Sequence, residues 1–483
     1  LAGKTNIRKL TLAWGYDRER NNKASDVDVL EGLQPNRELE ILKIYNFMGG
    51  RLNTSWMMSL SNLKKIWLSC CEECEEVPPL GHLPHLRHVK FEHMDKLKCV
   101  GDEFYGAALF PSLKTLVFNN CPALIEWKEA AFPCLEELTL LNCRELRNAP
   151  SRFPSLQKLE IRNIDQVMAI ENICSQLTTL THLEIRGATE LTRLPVGMLE
   201  NNHNLRVLHI DDCNKLSHLP DGLHALRLRI VKIQNCEKLS SLPTMLEYCT
   251  SLQELSIQRC PNLEAIPNLD NLTSLHDVPI CGCDGLTSLP RGLRSLTSLE
   301  HLSIGEFWEE LDSFPDFELP SQIRWLNIIG WPKLKSLPQQ IQHFTTCLEY
   351  LAIKSFDSME ALPEWLRNLT SLKYLDIYYC KNMMYLPTLE AMQCLTKLEC
   401  ISISHCPLLK ERCNKESGSE WPKISHIPNI KVGKEFVQKD GVYQIDDDEM
   451  PSVASTSSSG NVYLYYSFII TNFLLFFIHF YAP

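Results

Sequence analysis

Two short segments contain residue types that could bind a phosphate group or a metal ion. Gly3-Lys4-Thr5 has the ending of a phosphate-binding loop, but a strand pattern follows it where that loop requires a helix. Cys71-Glu72-Glu73-Cys74 has the spacing of half a zinc site. A structural zinc ion needs four ligands, and the sequence has no second Cys-x-x-Cys pair. We therefore predict no cofactor-binding residue and no metal-binding residue.

Residues for catalysis are equally absent from the sequence patterns. The chain has no His-Glu-x-x-His helix and no Gly-x-Ser-x-Gly nucleophile turn, and its fifteen histidines are scattered over unrelated positions. We predict no catalytic residue and no enzyme activity. With a formal charge of −11 and a pI near 5.8, the chain is also a poor match for nucleic acid.

The dominant feature of the chain is one short pattern, L-x-x-L-x-I or a close variant, in about 17 copies spaced roughly 24 residues apart. The second and third apolar residues of each copy lie two apart, as on one face of a strand. This is the leucine-rich-repeat period. The first positions are Ile7, Leu39, Leu63, Leu86, Leu113, Leu135, Leu156, Leu180, Leu205, Leu228, Leu252, Leu275, Leu299, Ile323, Leu348, Leu372 and Leu398.

The second half of most copies reads L-x-x-L-P, as at Leu216 to Pro220 and Leu239 to Pro243. Proline has no amide hydrogen, so it ends regular pairing and turns the chain onto a return path. One coil cannot bury its own apolar edge, so the coils must stack. We predict an α/β-type solenoid, a horseshoe of about 17 coils with a parallel β-sheet on the concave face and an irregular or short helical convex side.

Nine of the twenty cysteines recur eight residues after the first repeat position, and other copies carry Phe47, Met94, Phe307, Trp331 or Phe356 there. A position that accepts Cys, Phe, Met and Trp is an inward packing position. Free thiols in a ladder of this kind indicate a reducing, cytosolic compartment. The nine are Cys71, Cys121, Cys143, Cys213, Cys236, Cys260, Cys283, Cys380 and Cys406.

These patterns carry a family likeness. The pairing of L-x-x-L-x-I-x-x-C with L-x-x-L-P, as in Leu205 to Pro220, resembles the repeat region of plant intracellular immune receptors of the coiled-coil nucleotide-binding class. So do the opening Lys4 to Leu10 with Trp14, Val29 to Pro35, and the closing stretch from Cys406 to Pro428. The likeness covers about residues 1 to 432. The chain starts inside a repeat-like segment, so we expect it to be part of a longer protein.

The resemblance implies a non-catalytic module that recognises a pathogen effector or a guarded host protein and restrains a nucleotide switch. ADP or ATP would bind only in an upstream nucleotide-binding domain, which would also be an intramolecular partner. Two other functions stay open. One is the substrate-recognition arm of a ubiquitin ligase, which would need an amino-terminal adaptor-binding motif. The other is a membrane-anchored receptor-like protein, which would need a secretion signal.

Solvent-facing strand positions indicate where a partner binds. Trp325, Tyr350 and Tyr374 lie two residues after the first position of three successive copies, and Tyr378 and Tyr379 follow Tyr374. In register they form a ladder of rings, and aromatic anchors dominate binding energy at protein interfaces. The alternative is that the rings only stabilise the sheet through cross-strand contacts.

A second zone on adjacent strands carries mixed charge, where mutual pairing is as plausible as ligand recognition. Its members are Lys158, Glu160, Arg162, His182, Glu184 and Arg186. Pro279 lies inside a strand pattern, so we expect weakened pairing or a bend there. The long spacings from Ile7 to Leu39 and from Leu86 to Leu113 predict inserted loops or short helices.

The composition changes after Ile430. We assign residues 1–430 to the repeat array, 431–460 to an acidic and serine-rich linker expected to be disordered, and 461–483 to a hydrophobic tail. Residues 462–480 are uncharged and long enough for a single membrane span. The predicted localisation is cytoplasmic, with membrane association through this tail.

Overall fold

The computed structural model describes residues 7–15, 23–52, 55–106, 110–195, 197–220, 227–307, 311, 319–344 and 346–443. The phosphate-loop mimic at residues 3–5 and the apolar tail at residues 462–480 lie outside the described residues. Among the described residues, no helix combines the length and apolar character that crossing a bilayer requires.

The strands follow the repeat pattern. All seventeen predicted copies carry a strand that begins two residues after the first repeat position, so the predicted solenoid is confirmed. In chain order the strands are β1 Lys9–Ala13, β2 Ile41–Tyr45, β3 Lys65–Ser69, β4 His88–Glu92, β5 Cys99–Val100, β6 Thr115–Asn119, β7 Glu126–Trp127, β8 Glu137–Leu141, β9 Lys158–Arg162, β10 His182–Arg186, β11 Val207–Asp211, β12 Ile230–Gln234, β13 Glu254–Gln258, β14 Asp277–Cys281, β15 His301–Gly305, β16 Trp325–Ile329, β17 Tyr350–Lys354, β18 Tyr374–Tyr378, β19 Cys400–Ser404, β20 Asn429–Val432, β21 Glu435–Lys439 and β22 Val442–Tyr443.

Consecutive repeat strands pair in parallel within one twenty-stranded sheet, while β5 and β7 form a separate two-stranded sheet. The sheet continues past the predicted end of the array at residue 430. Strand β20 pairs in parallel with β19, and β21 then pairs antiparallel with β20. The spacing Ile427, Ile430, Val432 repeats the strand pattern, so residues 431–443 belong to the sheet rather than to a linker.

The core lies on one side of the sheet. The second and fourth residues of the repeat strands are buried from β2 to β19, as Leu208 and Ile210 are at 0% exposure, and only partly buried in β1. The first, third and fifth residues point to the other side, which we call the exposed sheet face. Because strand pairing keeps register, residues at the same repeat position line up across the sheet.

The return side is made of turns and short helices, as predicted. Pro243, Pro338 and Pro363 each precede a 3₁₀ helix, at Thr244–Tyr248, Gln339–His343 and Glu364–Asn368. Two more 3₁₀ helices lie at Met57–Ser59 and Leu293–Ser295. The α-helices are α1 Lys23–Leu33, α2 Asp102–Tyr105, α3 Val167–Cys174, α4 Leu389–Gln393, α5 Pro407–Arg412 and α6 Trp421–Ile424. The two long spacings contain α1 and α2, which confirms the predicted inserts.

The cysteine ladder packs inward. All nine ladder cysteines are at most 1% exposed, and all twenty cysteines carry free thiols. The thiol also acts as a weak donor to the carbonyl two residues earlier, with Sγ 3.2 Å from Gln234 O at Cys236 and 3.3 Å from Ser404 O at Cys406. In these coils the thiol therefore adds a weak hydrogen bond at the end of the strand as well as filling the core.

Pro279 interrupts pairing on one side only. Between β13 and β14 the register holds at Asp277, Ile280 and Cys281 but not at Val278 or Pro279, whereas β14 and β15 pair over all five residues. The missing amide hydrogen removes a ladder bond toward β13. The predicted weakening is confirmed, and the sheet continues across it.

Candidate functional site: an aromatic row on the exposed sheet face

The structure brings three of the predicted contact residues together. Trp325, Tyr350 and Tyr374 are the first residues of β16, β17 and β18 and are paired in register. Trp325 and Tyr374 are each 38% exposed, and Tyr350 between them is half-buried. The rings of Trp325 and Tyr350 stack with centroids 4.9 Å apart and planes at 24°. We call these three residues the aromatic row.

Hydrogen bonds fix the tyrosines of this region. The Tyr350 hydroxyl donates to Asp376 Oδ2 at 2.7 Å, and the Tyr374 hydroxyl donates to Glu399 Oε2 at 3.2 Å. Burial, together with Asp376, holds the pKa of Tyr350 well above its ordinary value, so the hydroxyl keeps its proton. Rings that are already held in place lose little conformational entropy when a partner binds.

The remaining two predicted residues differ from each other. Tyr378 ends β18 on the exposed sheet face, with its hydroxyl 3.4 Å from Ser402 Oγ. Tyr379 lies beyond the strand, at φ +54° in the left-handed turn, and stacks on His405 with centroids 4.3 Å apart. Its ring therefore belongs to the turn side, and the structure does not bring it into the aromatic row.

The row continues through residues that the sequence analysis did not single out. His301 meets the Trp325 ring edge to face at 5.7 Å, and the register then aligns Asp277 with His301 and Glu254 with Asp277. All three occupy the same repeat position as the aromatic residues. Their position in the repeat, the same as that of the aromatic residues, was the available signal in the sequence.

Two acidic side chains therefore lie on neighbouring strands. Glu254 is 4% exposed and forms an ion pair with Lys232, with Lys232 Nζ 2.8 Å from Glu254 Oε1. Burial, and then the charge of Glu254, raises the pKa of Asp277 to about 7, while Lys232 partly opposes this rise. Asp277 is therefore about half ionised at neutral pH.

We expect Asp277→Asn to stabilise the fold at pH 8 and to have a clearly smaller effect at pH 4.5. The folded chain holds the Asp277 proton up to about pH 7, whereas the ordinary pKa is 3.8. Stability from this group therefore falls as pH rises from about 4 to about 7. Removing it should raise the free energy of unfolding by roughly 1–3 kcal/mol at pH 8. Urea unfolding at pH 8 and at pH 4.5 measures the free energy of unfolding of both chains. An equal difference between the variant and the natural chain at the two pH values would contradict this prediction.

The mixed-charge zone is internally paired. Arg162 contacts Glu160 at 2.8 Å and Glu184 at 2.7 Å, and Arg186 contacts Glu184 at 2.8 Å. These ion pairs leave few charges free for a ligand, so pairing within the sheet explains why these charged residues lie on adjacent strands. The structure thus favours the structural explanation that the sequence had left open.

A further cluster lies near the amino-terminal end of the exposed sheet face. The ammonium groups of Lys43 and Lys90 lie 4.7 and 4.4 Å from the centre of the Trp67 ring, and Trp67 Nε1 donates to Glu92 at 3.2 Å. With Lys65 on the same strand as Trp67, this end of the face is basic. Lys43, Trp67 and Lys90 occupy the third position of three successive strands, so the repeat register was the available signal for this cluster.

No metal site is found in the described part of the chain, where no group of three or more His, Cys, Asp or Glu residues could hold an ion. Cys71 and Cys74 are both fully buried, and the Cys74 thiol lies 3.1 Å from Gly49 O. The candidate site is therefore a binding surface made of aromatic and charged side chains on the exposed sheet face.

The chain is similar to known proteins over its repeats. Residues 1–94 and 340–406 match the family of R13L1/DRL21 leucine-rich repeats. The chain is 33% identical over 231 residues to the candidate disease resistance protein RGA1 of Solanum bulbocastanum, covering 46% of this chain and 23% of that protein. It is 30% identical over 237 residues to disease resistance protein RGA2 of the same species, covering 46% and 22%. The chain thus spans about a quarter of the length of the curated relatives it matches.

The fold has a counterpart among solved structures. A leucine-rich-repeat protein of Leptospira interrogans matches with a TM-score of 0.51 and 18% identity, covering 87% of this chain and 93% of that chain. At this identity the likeness concerns the fold alone.

Proposed function

We propose that this chain, a leucine-rich-repeat array of the R13L1/DRL21 type, is the recognition and autoinhibitory module of a plant intracellular immune receptor. Its curated relatives are disease resistance proteins, and the similarity falls on their repeat regions. Repeats of this kind are generally non-catalytic modules for protein interaction, and we infer the same here.

The aromatic row is the observation that carries the recognition role. Trp325, Tyr350 and Tyr374 present fixed, partly exposed rings on successive strands, and such rings are the commonest anchors at protein interfaces. We propose that a pathogen effector, or a host protein that the receptor guards, contacts this row. An upstream nucleotide-binding domain would bind ADP or ATP and be the intramolecular partner of the array.

The inferred compartment is the cytoplasm. All twenty cysteines are free, and the ladder cysteines are buried side by side in the core without disulfide bonds. Such a thiol-rich core suits a reducing environment. This argument also favours the immune receptor over a secreted, membrane-anchored receptor-like protein.

We expect replacement of Trp325, Tyr350 and Tyr374 by alanine to weaken partner binding by about thirtyfold or more. Each truncated anchor removes apolar contact area that is already ordered, and hot-spot truncations cost about 2 kcal/mol or more each. The measurement uses the full chain as bait in extracts of infected leaves, followed by affinity measurement on the partner that is recovered.

A matched control comes from three large side chains off the exposed sheet face. Met168, Tyr248 and Tyr385 are 58%, 54% and 40% exposed, and their triple alanine variant removes a similar apolar area. Circular dichroism should show that both variants remain folded. Unchanged affinity in the row variant, or an equal loss in the control, would eliminate the aromatic row as the contact surface.

A further inference from the structure

We propose that the row running from Glu254 through Asp277, His301, Trp325 and Tyr350 to Tyr374 is a docking surface for an extended, cationic segment of a partner protein. This proposal rests on the recognition role proposed above and adds the chemistry of the partner. The partner would place arginine or lysine side chains opposite the acidic end and along the aromatic rings.

The length of the row suits a short peptide segment. Its six members occupy the first position of six neighbouring parallel strands, from β13 to β18. Strands lie about 4.8 Å apart, so the row spans roughly 24 Å, and an extended chain covers that distance in about seven residues. A partner segment can therefore contact the acidic end and the aromatic end at the same time.

The acidic end has more negative charge than its neighbours neutralise. Lys232 bonds Glu254 at 2.8 Å, which leaves the carboxyl group of Asp277 beside a buried ion pair. An incoming guanidinium or ammonium group would complete this arrangement and favour the ionised form of Asp277. Aromatic faces attract the same cations, Trp most strongly. Both ends of the row thus select the same kind of side chain.

Positive charges near the row are already engaged. Arg324 and Lys373 flank the aromatic residues, but both face Glu349, at 3.8 and 2.9 Å. Lys354 faces Glu306 at 3.4 Å. Around Trp67, near the amino-terminal end of the exposed sheet face, lysines outnumber carboxylates even though Lys90 pairs with Glu92 at 3.1 Å. A cationic segment is therefore repelled from that end and attracted to the row.

The test is titration of the full chain with a fluorescent nona-arginine peptide, using nona-glutamate as the probe of opposite charge. The variant is Asp277→Asn, which keeps the Lys232–Glu254 ion pair intact. The matched control is Asp284→Asn, an exposed aspartate on the same coil but off the exposed sheet face. At pH 8 each variant removes about one negative charge, so non-specific attraction to this acidic chain cancels in the comparison at that pH.

At pH 8 we expect Asp277→Asn to weaken nona-arginine binding by about fivefold or more and Asp284→Asn by less than about twofold. At pH 5.5 the two should match, because Asp277 is then protonated. The charges that act on Asp277 are Glu254 and Lys232, and His301 is its register neighbour on β15, with Glu300, His276 and Arg324 acting on His301 in turn; all are the same in both variants. Burial lowers the pKa of His301 below its ordinary value, so this ring is neutral at pH 8.

A second variant, Trp325→Leu, should weaken binding at both pH values because its contribution does not titrate. Equal loss in the Asp277 and Asp284 variants, or no binding of nona-arginine to the natural chain, would overturn the proposal. Neither outcome touches the proposed immune role, which the triple alanine variant tests with the natural partner.

Discussion

Replacement of Phe132 by alanine should lower the free energy of unfolding by about 3–5 kcal/mol. Phe132 is 1% exposed and is surrounded by other rings. It stacks on Phe110 and Phe153, with centroids at 5.7 and 5.5 Å, and meets Trp127 edge to face at 5.4 Å. Because Phe110 and Phe153 come from the coils on either side, the cavity would remove contacts between coils that must stack to share a core.

The matched control for this prediction is Ile125→Ala in the same coil. Ile125 is 40% exposed, so its truncation should change stability by no more than about 0.5 kcal/mol. Urea unfolding of the full chain, followed by circular dichroism, gives both midpoints. If the two variants unfold at the same urea concentration, the aromatic contacts between these coils do not stabilise the array.

Asn202→Ala should cost about 3 kcal/mol, an unusually large effect for one polar residue. Asn202 is fully buried between two coils, and its Oδ1 accepts from the Leu180 amide at 2.8 Å. Its Nδ2 donates to Leu177 O at 2.9 Å and to Met198 O at 2.6 Å. Alanine would leave one buried amide and two buried carbonyls without partners, at about 1–3 kcal/mol for each unsatisfied group before local relaxation.

Asn202→Asp separates hydrogen bonding from packing. A carboxylate has nearly the same shape but cannot donate to the two carbonyls, so it should be at least as damaging as alanine. The exposed neighbour Asn201 provides the control, since Asn201→Ala should change stability by less than about 0.5 kcal/mol. Hydrogen exchange of the Leu180 amide reports directly whether its hydrogen bond to Asn202 Oδ1 is lost. Unchanged protection of this amide in the Asn202→Ala variant would contradict the prediction.

Period and register were the most predictable features of this chain. A strand requires apolar residues two apart, and a repeat requires each coil to present them at the same place, so all seventeen strand positions could be read from the sequence. The same logic placed Trp325, Tyr350 and Tyr374 on three neighbouring strands, and the structure pairs them in register. Residues at equal repeat positions are neighbours whatever their distance along the chain.

Features that depend on three-dimensional detail were not predictable in the same way. Asn202 lies three residues before Leu205, where other copies carry a buried apolar residue such as Leu83 or Leu177, so the repeat indicates burial there but not the three hydrogen bonds that the amide makes. Tyr379 follows Tyr378 directly, yet the turn to positive φ moves its ring off the exposed sheet face. The role of the aromatic row in binding remains a prediction.

The most direct test of the central claim is sequencing of the complete transcript upstream of the codon for Leu1. The curated relatives are about four times longer than the part this chain matches, so we predict a continuous upstream reading frame that encodes a nucleotide-binding domain with a complete phosphate-binding loop. A secretion signal in that place would indicate a cell-surface receptor, and an adaptor-binding motif would indicate the arm of a ubiquitin ligase. Either result would contradict the assignment of this array to an intracellular immune receptor.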